Sequence, residues 1–245
     1  MTKSDVKYIQ SLAHKKQREE EGLFVVEGVK MVDELLLNFP DRIVRIFAIE
    51  TWINDRTEIV KKYNSINCID LQFLERVSFL QTPNEVLALV SMPTIELIPS
   101  FSNGLTLVLD QIQDPGNLGT IIRTADWFGV KQIICSVDTS DAFSPKVVQA
   151  SMGSLMRLSI FYLELDSVLK NLGEVPIYTA ELNGESLFDL EFRQPFVLVI
   201  GNESRGVSEK ISKLATKKIT IPKLGNAESL NASVAAGIIL SHASR

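Results

Sequence analysis

The sequence predicts an α/β protein of two units, the second built on a mainly parallel sheet covered on both faces. Three observations predict it. Beyond Gly104, apolar runs of strand length alternate with stretches of helical periodicity, the pattern left by strand–helix–strand crossovers. Three strands there run into glycine-bearing turns with polar residues: DPGNLGTIIRTADWFGV, LVIGNESRGVS and IPKLGNAESLNASVAAG. Such turns collected at one edge of a parallel sheet form a ligand site. Finally, SMPTIELIPSFSNG (91–104) is rich in Pro, Ser and Gly and loses periodicity, which marks a domain boundary. The units are 1–98 and 104–245.

In the first unit, 5–16 is predicted helical and LFVVEG (23–28) a buried strand. VKMVDELLLN has apolar residues at helical spacing, and IVRIFAIE (43–50) returns to strand. INCIDL, a helix over 73–79 and the apolar run EVLALV complete a small α/β unit. In the second unit TLVLD (106–110) is a strand and 117–128 a helix closed by Gly129. QIICS follows as a strand. SPKVVQASMGSLMRL opens a helix with Ser144 at the N-cap and Pro145 at the first helical position. Strands are predicted at 158–162, 177–180 and 196–200. A helix after Ser208, the strand KKITIP and a small-residue helix finish the chain.

Composition narrows the function. The 245 residues suffice for real cores, and a net charge of −5 excludes coating of nucleic acid through bulk charge. A local basic patch does exist: Lys3, Lys7, His14, Lys15, Lys16 and Arg18 stand against Asp5 alone. It is either a phosphate-binding surface or a solvated helix face. Cys68 and Cys135 sit in apolar strand-like runs and read as buried free thiols in a reducing compartment. The N-terminus lacks a signal peptide and the apolar runs are too short to span a membrane, so a cytoplasmic location is expected.

Elimination helps with the site. The only histidines, His14 and His242, lie in the terminal segments, which disfavours Ser-His-Asp and Cys-His chemistry. No cluster has zinc-ligand spacing, and neither a G-x-x-x-x-G-K-[ST] loop nor a G-x-G-x-x-G fingerprint is present. The remaining candidates are Asn117, Arg123, Glu203, Ser229 and Asn231. Arg123 offers a rigid five-donor fork for phosphate or carboxylate, or else pairs with Asp126 at i+3. Glu203 lies between Gly201 and Gly206, where it could equally satisfy loop amides. Ser229 and Asn231 sit at a helix entry, where either could serve only as a cap.

The three turn segments, in this order, resemble the motifs of the SpoU (TrmH) family of RNA ribose methyltransferases, within the SPOUT superfamily. The resemblance runs from Gly104 to the end. KKQREEEGLFVVEGVKMVDELL is similar to the start of the family's N-terminal RNA-binding domain. What the resemblance implies is a C-terminal parallel-sheet domain carrying a deep trefoil knot, and methyl transfer from S-adenosylmethionine to a ribose 2′-hydroxyl of rRNA or tRNA. The cofactor would be held largely by backbone at Gly201, Ile221 and Leu230, with Ser229 nearby, and without a metal. In the family the counterpart of Arg123 is the proposed general base, oriented by that of Asn117. Since a guanidinium keeps its proton, gripping the phosphate beside the target ribose is an equally physical role. Glu203, Ser229 and Asn231 would order the arginine, the ribose and the last loop. The family also implies a homodimer, with Lys15, Lys16, Arg18 and Arg123 as phosphate contacts. The rival readings are a base methyltransferase, a non-catalytic RNA-binding factor and a dinucleotide-binding oxidoreductase.

Overall fold

Thr2 and Asp5 start the first helix by exchanging bonds. The Thr2 hydroxyl accepts from the Asp5 amide at 3.2 Å, and the Asp5 carboxylate accepts from the Thr2 amide at 2.8 Å. The computed structural model describes residues 2–63, 65–93 and 99–244, so the centre of the predicted boundary stretch, 94–98, lies outside the described residues. The helix predicted over 5–16 is broken into α1 (Lys3–Ser11) and α2 (Lys15–Glu21). Arg18 holds the break. Its Nη1 donates to the carbonyls of Leu12 and Ala13, both at 2.7 Å, satisfying groups that α1 leaves open at its end.

The chain continues through β1 (Leu23–Glu27), α3 (Val29–Asn38), β2 (Ile43–Ala48), α4 (Glu50–Asn54), α5 (Thr57–Val60), β3 (Ile66–Cys68), α6 (Leu71–Val77) and β4 (Val86–Ser91). The sheet order is β1-β4-β2-β3, with β4 antiparallel to both β1 and β2 and β3 parallel to β2. Val6, Ile9 and Leu12 of the N-terminal segment and Phe73, Leu74 and Val77 of α6 share one core with Val25, Phe47, Leu87 and Leu89 of the sheet. Truncating any one of these to Ala removes about 2–5 kcal/mol. Cys68 departs from expectation. It ends the three-residue edge strand β3 and is exposed, whereas Cys135 is buried.

The second sheet takes β5 (Leu105–Asp110), then α7 (Pro115–Trp127), β6 (Gln132–Cys135), α8 (Pro145–Ser151), β7 (Ser159–Tyr162), α9 (Leu165–Lys170), β8 (Ile177–Ser186), β9 (Phe196–Gly201), α10 (Glu209–Ser212), β10 (Lys217–Thr220) and α11 (Ala232–Ala243). Its order is β10-β8-β9-β5-β6-β7 and every neighbouring pair is parallel. β9 is buried at every residue and β5 at all but its first, so both faces of the sheet centre are covered, as its unbroken apolar runs require. Contacts divide the chain into Met1–Thr94 with Phe143–Met156, and Ile95–Ala142 with Arg157–Arg245. By sequence, 143–156 falls within 104–245; in space α8 packs on β1, and the Phe143 ring lies 5.2 Å from that of Phe24.

Two helices differ from expectation for local reasons. α7 begins two residues before Asn117, because Asp114 caps it and Pro115 fits its first position. α8 stops at Ser151 because Met152 and Gly153 take left-handed backbone, φ 49° and 85°. Among the described residues no helix is long and apolar enough to cross a membrane.

Candidate active site

The sheet register sets the site. Asp110 ends β5 directly beside Gly201, the last residue of β9, so the first and second polar turns leave from adjacent points. α11, which follows the third turn, packs back against α7 and β9. All three turns thus meet at one end of the second unit.

The second turn is closed by its own backbone. The Asn202 amide donates to the Gly206 carbonyl at 3.0 Å, and the Gly206 amide returns to the Asn202 carbonyl at 2.9 Å. Gly206 takes φ 68°, which suits glycine. Gly201 is required for a different reason, since a Cβ there would collide with the backbone of Gly206 and Val207. Inside the loop, Asn202 Oδ1 accepts from the amides of Ser204 (3.0 Å) and Arg205 (3.2 Å) and from the Ser204 hydroxyl (2.9 Å). Its Nδ2 donates to the Gln111 carbonyl at 2.8 Å, tying the second turn to the root of the first. The buried Asp110 carboxylate adds another tie, accepting from the Ser208 amide at 2.7 Å. Sequence reasoning missed both Asn202 and Asp110. The signal for Asn202 was an Asn opening a glycine-closed turn, where its side chain bonds backbone two residues on.

On this frame three of the five candidates meet. Asn117, in the first turn of α7, donates Nδ2 to Glu203 Oε1 at 2.9 Å. Asn117 Oδ1 accepts from Asn231 Nδ2, also at 2.9 Å. Asn231 is the N-cap of α11, its Oδ1 accepting from the amides of Ser233 (2.9 Å) and Val234 (3.3 Å) and from the Ser233 hydroxyl (2.6 Å). Chemistry fixes each orientation. Asn231 Oδ1 is committed to α11, so Asn231 must donate onward to Asn117 Oδ1, which leaves the Asn117 NH₂ for Glu203.

Arg123 and Ser229 stand apart from this chain of bonds. Both ends of the Asn117 amide are taken, and the exposed Arg123 guanidinium makes no hydrogen bond or ion pair among the described residues. The alternative pairing with Asp126 does not form, because Arg157 occupies that carboxylate at 2.7–2.8 Å. Ser229 lies exposed in the loop before α11. Gly201 is buried, Ile221 half-buried and Leu230 exposed. From Pro222 to Leu230 the chain is exposed throughout, and its backbone bonds to no other backbone among the described residues.

One expectation is corrected. Arg18 is 2 % exposed, and its guanidinium is spent on the α1 terminus, so it belongs to the core and not to a basic surface. Lys15 and Lys16 do face solvent, with long i,i+4 pairings to Glu19 (3.7 Å) and Glu20 (3.8 Å). Among the described residues no three His, Cys, Asp or Glu side chains gather as metal ligands would.

A six-stranded parallel sheet thus carries three polar turns that converge through two asparagines and a glutamate. The chain belongs to the SpoU rRNA methylase family, whose model matches residues 104–241. The model of an MRM3-like substrate binding domain matches residues 3–88. Among relatives, the 23S rRNA (guanosine(2553)-2′-O)-methyltransferase RlmP of Bacillus subtilis is 32% identical, over 97% of this chain and 94% of its own. The 23S rRNA (uridine(2479)-2′-O)-methyltransferase of Streptomyces viridochromogenes is 31% identical, over 96% of this chain and 86% of its own. The crystal structure of the SpoU methyltransferase AviRb from Streptomyces viridochromogenes with AdoMet superposes with a TM-score of 0.85. Its identity is 28%, covering 99% of this chain and 97% of that one.

Proposed function

We propose that this chain transfers a methyl group from S-adenosylmethionine to a ribose 2′-hydroxyl of ribosomal or transfer RNA. The observation that carries this reading is the Glu203–Asn117–Asn231 chain of hydrogen bonds, which locks the three family motifs into one constellation.

The residues fit the cofactor. A nucleoside held by main chain needs unpaired amides and carbonyls, and 222–230 offers them beside Ile221, Ser229 and Leu230. The tight turn at Gly201 leaves no side chain between the end of β9 and the loop that follows. When bound, S-adenosylmethionine supplies an electrophilic methyl carbon.

The protein's task is to align the 2′-oxygen with that carbon and to let its proton leave. Holding two reactants in line supplies a large part of the barrier reduction. Arg123, exposed and without a partner among the described residues, is placed to grip the phosphate beside the target ribose, and a phosphate oxygen or water then takes the proton. Asn117 fixes the start of the helix that carries Arg123, and Glu203 and Asn231 fix Asn117. Ser229 belongs to the loop that closes over the ribose.

Lys15 and Lys16 contact RNA phosphates from the first unit, in keeping with the substrate-binding domain matched there. The deep knot of the family is part of the same reading. So is a homodimer, supported by the small-residue helix α11 and by the exposed Leu224, Leu230 and Val234 around its entry. The unpaired thiols of Cys68 and Cys135 favour a reducing, cytoplasmic setting.

Incubation with S-adenosylmethionine carrying a labelled methyl and total RNA from cells lacking the protein tests the reading. Nucleoside digestion and mass spectrometry should place the label on ribose. Label on a base, or none under conditions where the cofactor binds, contradicts it.

A further inference from the structure

Among the described residues two that are not glycine take left-handed backbone, Met152 at φ 49° and Gln111 at φ 60°. Met152 is accounted for as the C-cap of α8, where that conformation ends a helix. Gln111 ends no helix. It is the first residue after β5, in a conformation that resists a side chain and falls mostly to Gly, Asn or Asp.

Its neighbours hold it there. The Gln111 amide donates to Ser136 Oγ at 2.9 Å, and the Gln111 carbonyl accepts from Asn202 Nδ2 at 2.8 Å. Thr139 Oγ1 donates to the Leu109 carbonyl at 3.2 Å, so the Ser136 hydroxyl donates to Thr139 at 2.9 Å and keeps its oxygen for Gln111. Both hydroxyl residues are buried. With its backbone groups spent, Gln111 has only its side chain to offer a ligand. That side chain is half-buried, and its amide makes no hydrogen bond among the described residues. The position is the switch point of the sheet. β6 and β7 lie on one side of β5, β9 and β8 on the other, and a ligand crevice opens between the turns that follow β5 and β9. Backbone strain held at such a point serves function.

We propose that Gln111 is a specificity-determining residue whose side-chain amide hydrogen-bonds the base of the nucleotide that receives the methyl group. This rests on the RNA methyltransferase reading and adds to it a contact that selects the base. A primary amide sets a donor beside an acceptor, as the edge of a base does, and bases of single-stranded RNA are read on those edges. Glycine would relieve the backbone here and recognise nothing. The competing occupant is S-adenosylmethionine. Position favours the base, because Gln111 begins the turn that leads to Asn117 and Arg123, whereas the open main chain of 222–230 belongs to the third turn.

The test compares the intact wild type with Gln111→Gly, which removes the amide and accepts the left-handed backbone. Anisotropy gives the affinity of each for labelled oligo(A), oligo(C), oligo(U) and alternating oligo(GU). Calorimetry gives S-adenosylmethionine affinity, and thermal melting gives stability. The wild type should favour one oligonucleotide by about five-fold or more, and Gln111→Gly should bring all four within about two-fold of each other. Cofactor affinity should be unchanged. The melting temperature should stay within about 4 °C, since relief of strain offsets the freer unfolded chain. In methyl transfer to RNAs differing only in the base at the modified site, the variant should lose discrimination in kcat/KM. Equal wild-type affinity for all four oligonucleotides, or a preference that survives in Gln111→Gly, overturns the proposal. Weakened cofactor binding with the preference intact also overturns it and assigns the amide to S-adenosylmethionine. A larger fall in melting temperature makes Gln111 structural and overturns it too. Methyl transfer by the variant with wild-type discrimination sinks the proposal and leaves the enzyme reading standing. A Gln111-dependent base preference without methyl transfer by the wild type sustains base selection and sinks the enzyme reading.

Discussion

Asn231 donates its side-chain amide to Asn117 Oδ1 at 2.9 Å across 114 residues of sequence, while its own oxygen caps α11. One side chain therefore performs two separable jobs. Asn231→Asp keeps the cap, and a carboxylate there also suits the helix dipole. It loses the donor and sets a negative charge against Asn117 Oδ1. The expected outcome is a melting temperature within a few degrees of wild type and methyl transfer slowed about ten-fold or more, read in single-turnover assays. Asn231→Ala should add a stability loss of about 1 kcal/mol in denaturant titration. Equal activity of the Asp variant and wild type would show that the contact does not position the site.

Gly201 and Gly206 are required for different reasons and should respond differently to alanine. At Gly206 space is open and only the left-handed backbone resists, so Gly206→Ala costs about 1 kcal/mol. At Gly201 the added carbon meets backbone and the turn must move, so the loss is larger, about 1–3 kcal/mol or more. S-adenosylmethionine binding, measured by calorimetry, should fall sharply in Gly201→Ala and modestly in Gly206→Ala. The reverse order would refute the close approach at Gly201.

Arg18 and its neighbours Lys15 and Lys16 separate fold from binding. Arg18→Ala leaves two helix-end carbonyls without their donor and a cavity behind, for a loss of about 2–4 kcal/mol in urea titration. Lys15→Ala with Lys16→Ala should leave stability within about 0.5 kcal/mol while lowering the salt dependence of RNA affinity. An unchanged salt slope would mark these lysines as merely solvated.

Burial holds the Glu27 carboxyl above the ordinary glutamate range, against the lowering effect of hydrogen bonds from the Ser78 hydroxyl (2.6 Å) and the Phe79 amide (2.7 Å). A raised folded-state value means that the folded state binds the proton more tightly than the unfolded chain. Its contribution is full below the unfolded value of about 4.3 and is lost as pH rises through the folded one. Glu27→Gln should therefore flatten the fall in stability above pH ~4.3, measured by denaturant titration at stepped pH. A slope identical to wild type would exclude Glu27 as its source.

Much of this architecture is legible in sequence because buried strands write themselves as continuous apolar runs, and the glycine turns punctuate them. The misses have physical causes. α4, α5 and α9 have four to six residues, too few for a helical period to register. The break between α1 and α2 depends on Arg18 reaching back to Leu12 and Ala13, a tertiary choice that charge patterning disguises as a basic face. Site residue types could be read off, but their pairing could not. Asn117 finds Glu203 at a separation of 86 residues only because β5 lies beside β9. The ties through Asp110 and Asn202 follow from the same adjacency, and no local pattern encodes it.

The central claim is that the three turns form one methyl-transfer site on which Arg123 acts without contributing to the fold. Its most direct test is single-turnover transfer from saturating S-adenosylmethionine to RNA by wild type and Arg123→Ala, alongside calorimetric cofactor binding and thermal melting of both. The account predicts 2′-O-methylribose from the wild type, a rate loss of about 100-fold or more in Arg123→Ala, and cofactor affinity and melting temperature unchanged. Full activity in Arg123→Ala, or loss of cofactor binding and stability along with the rate, would contradict it.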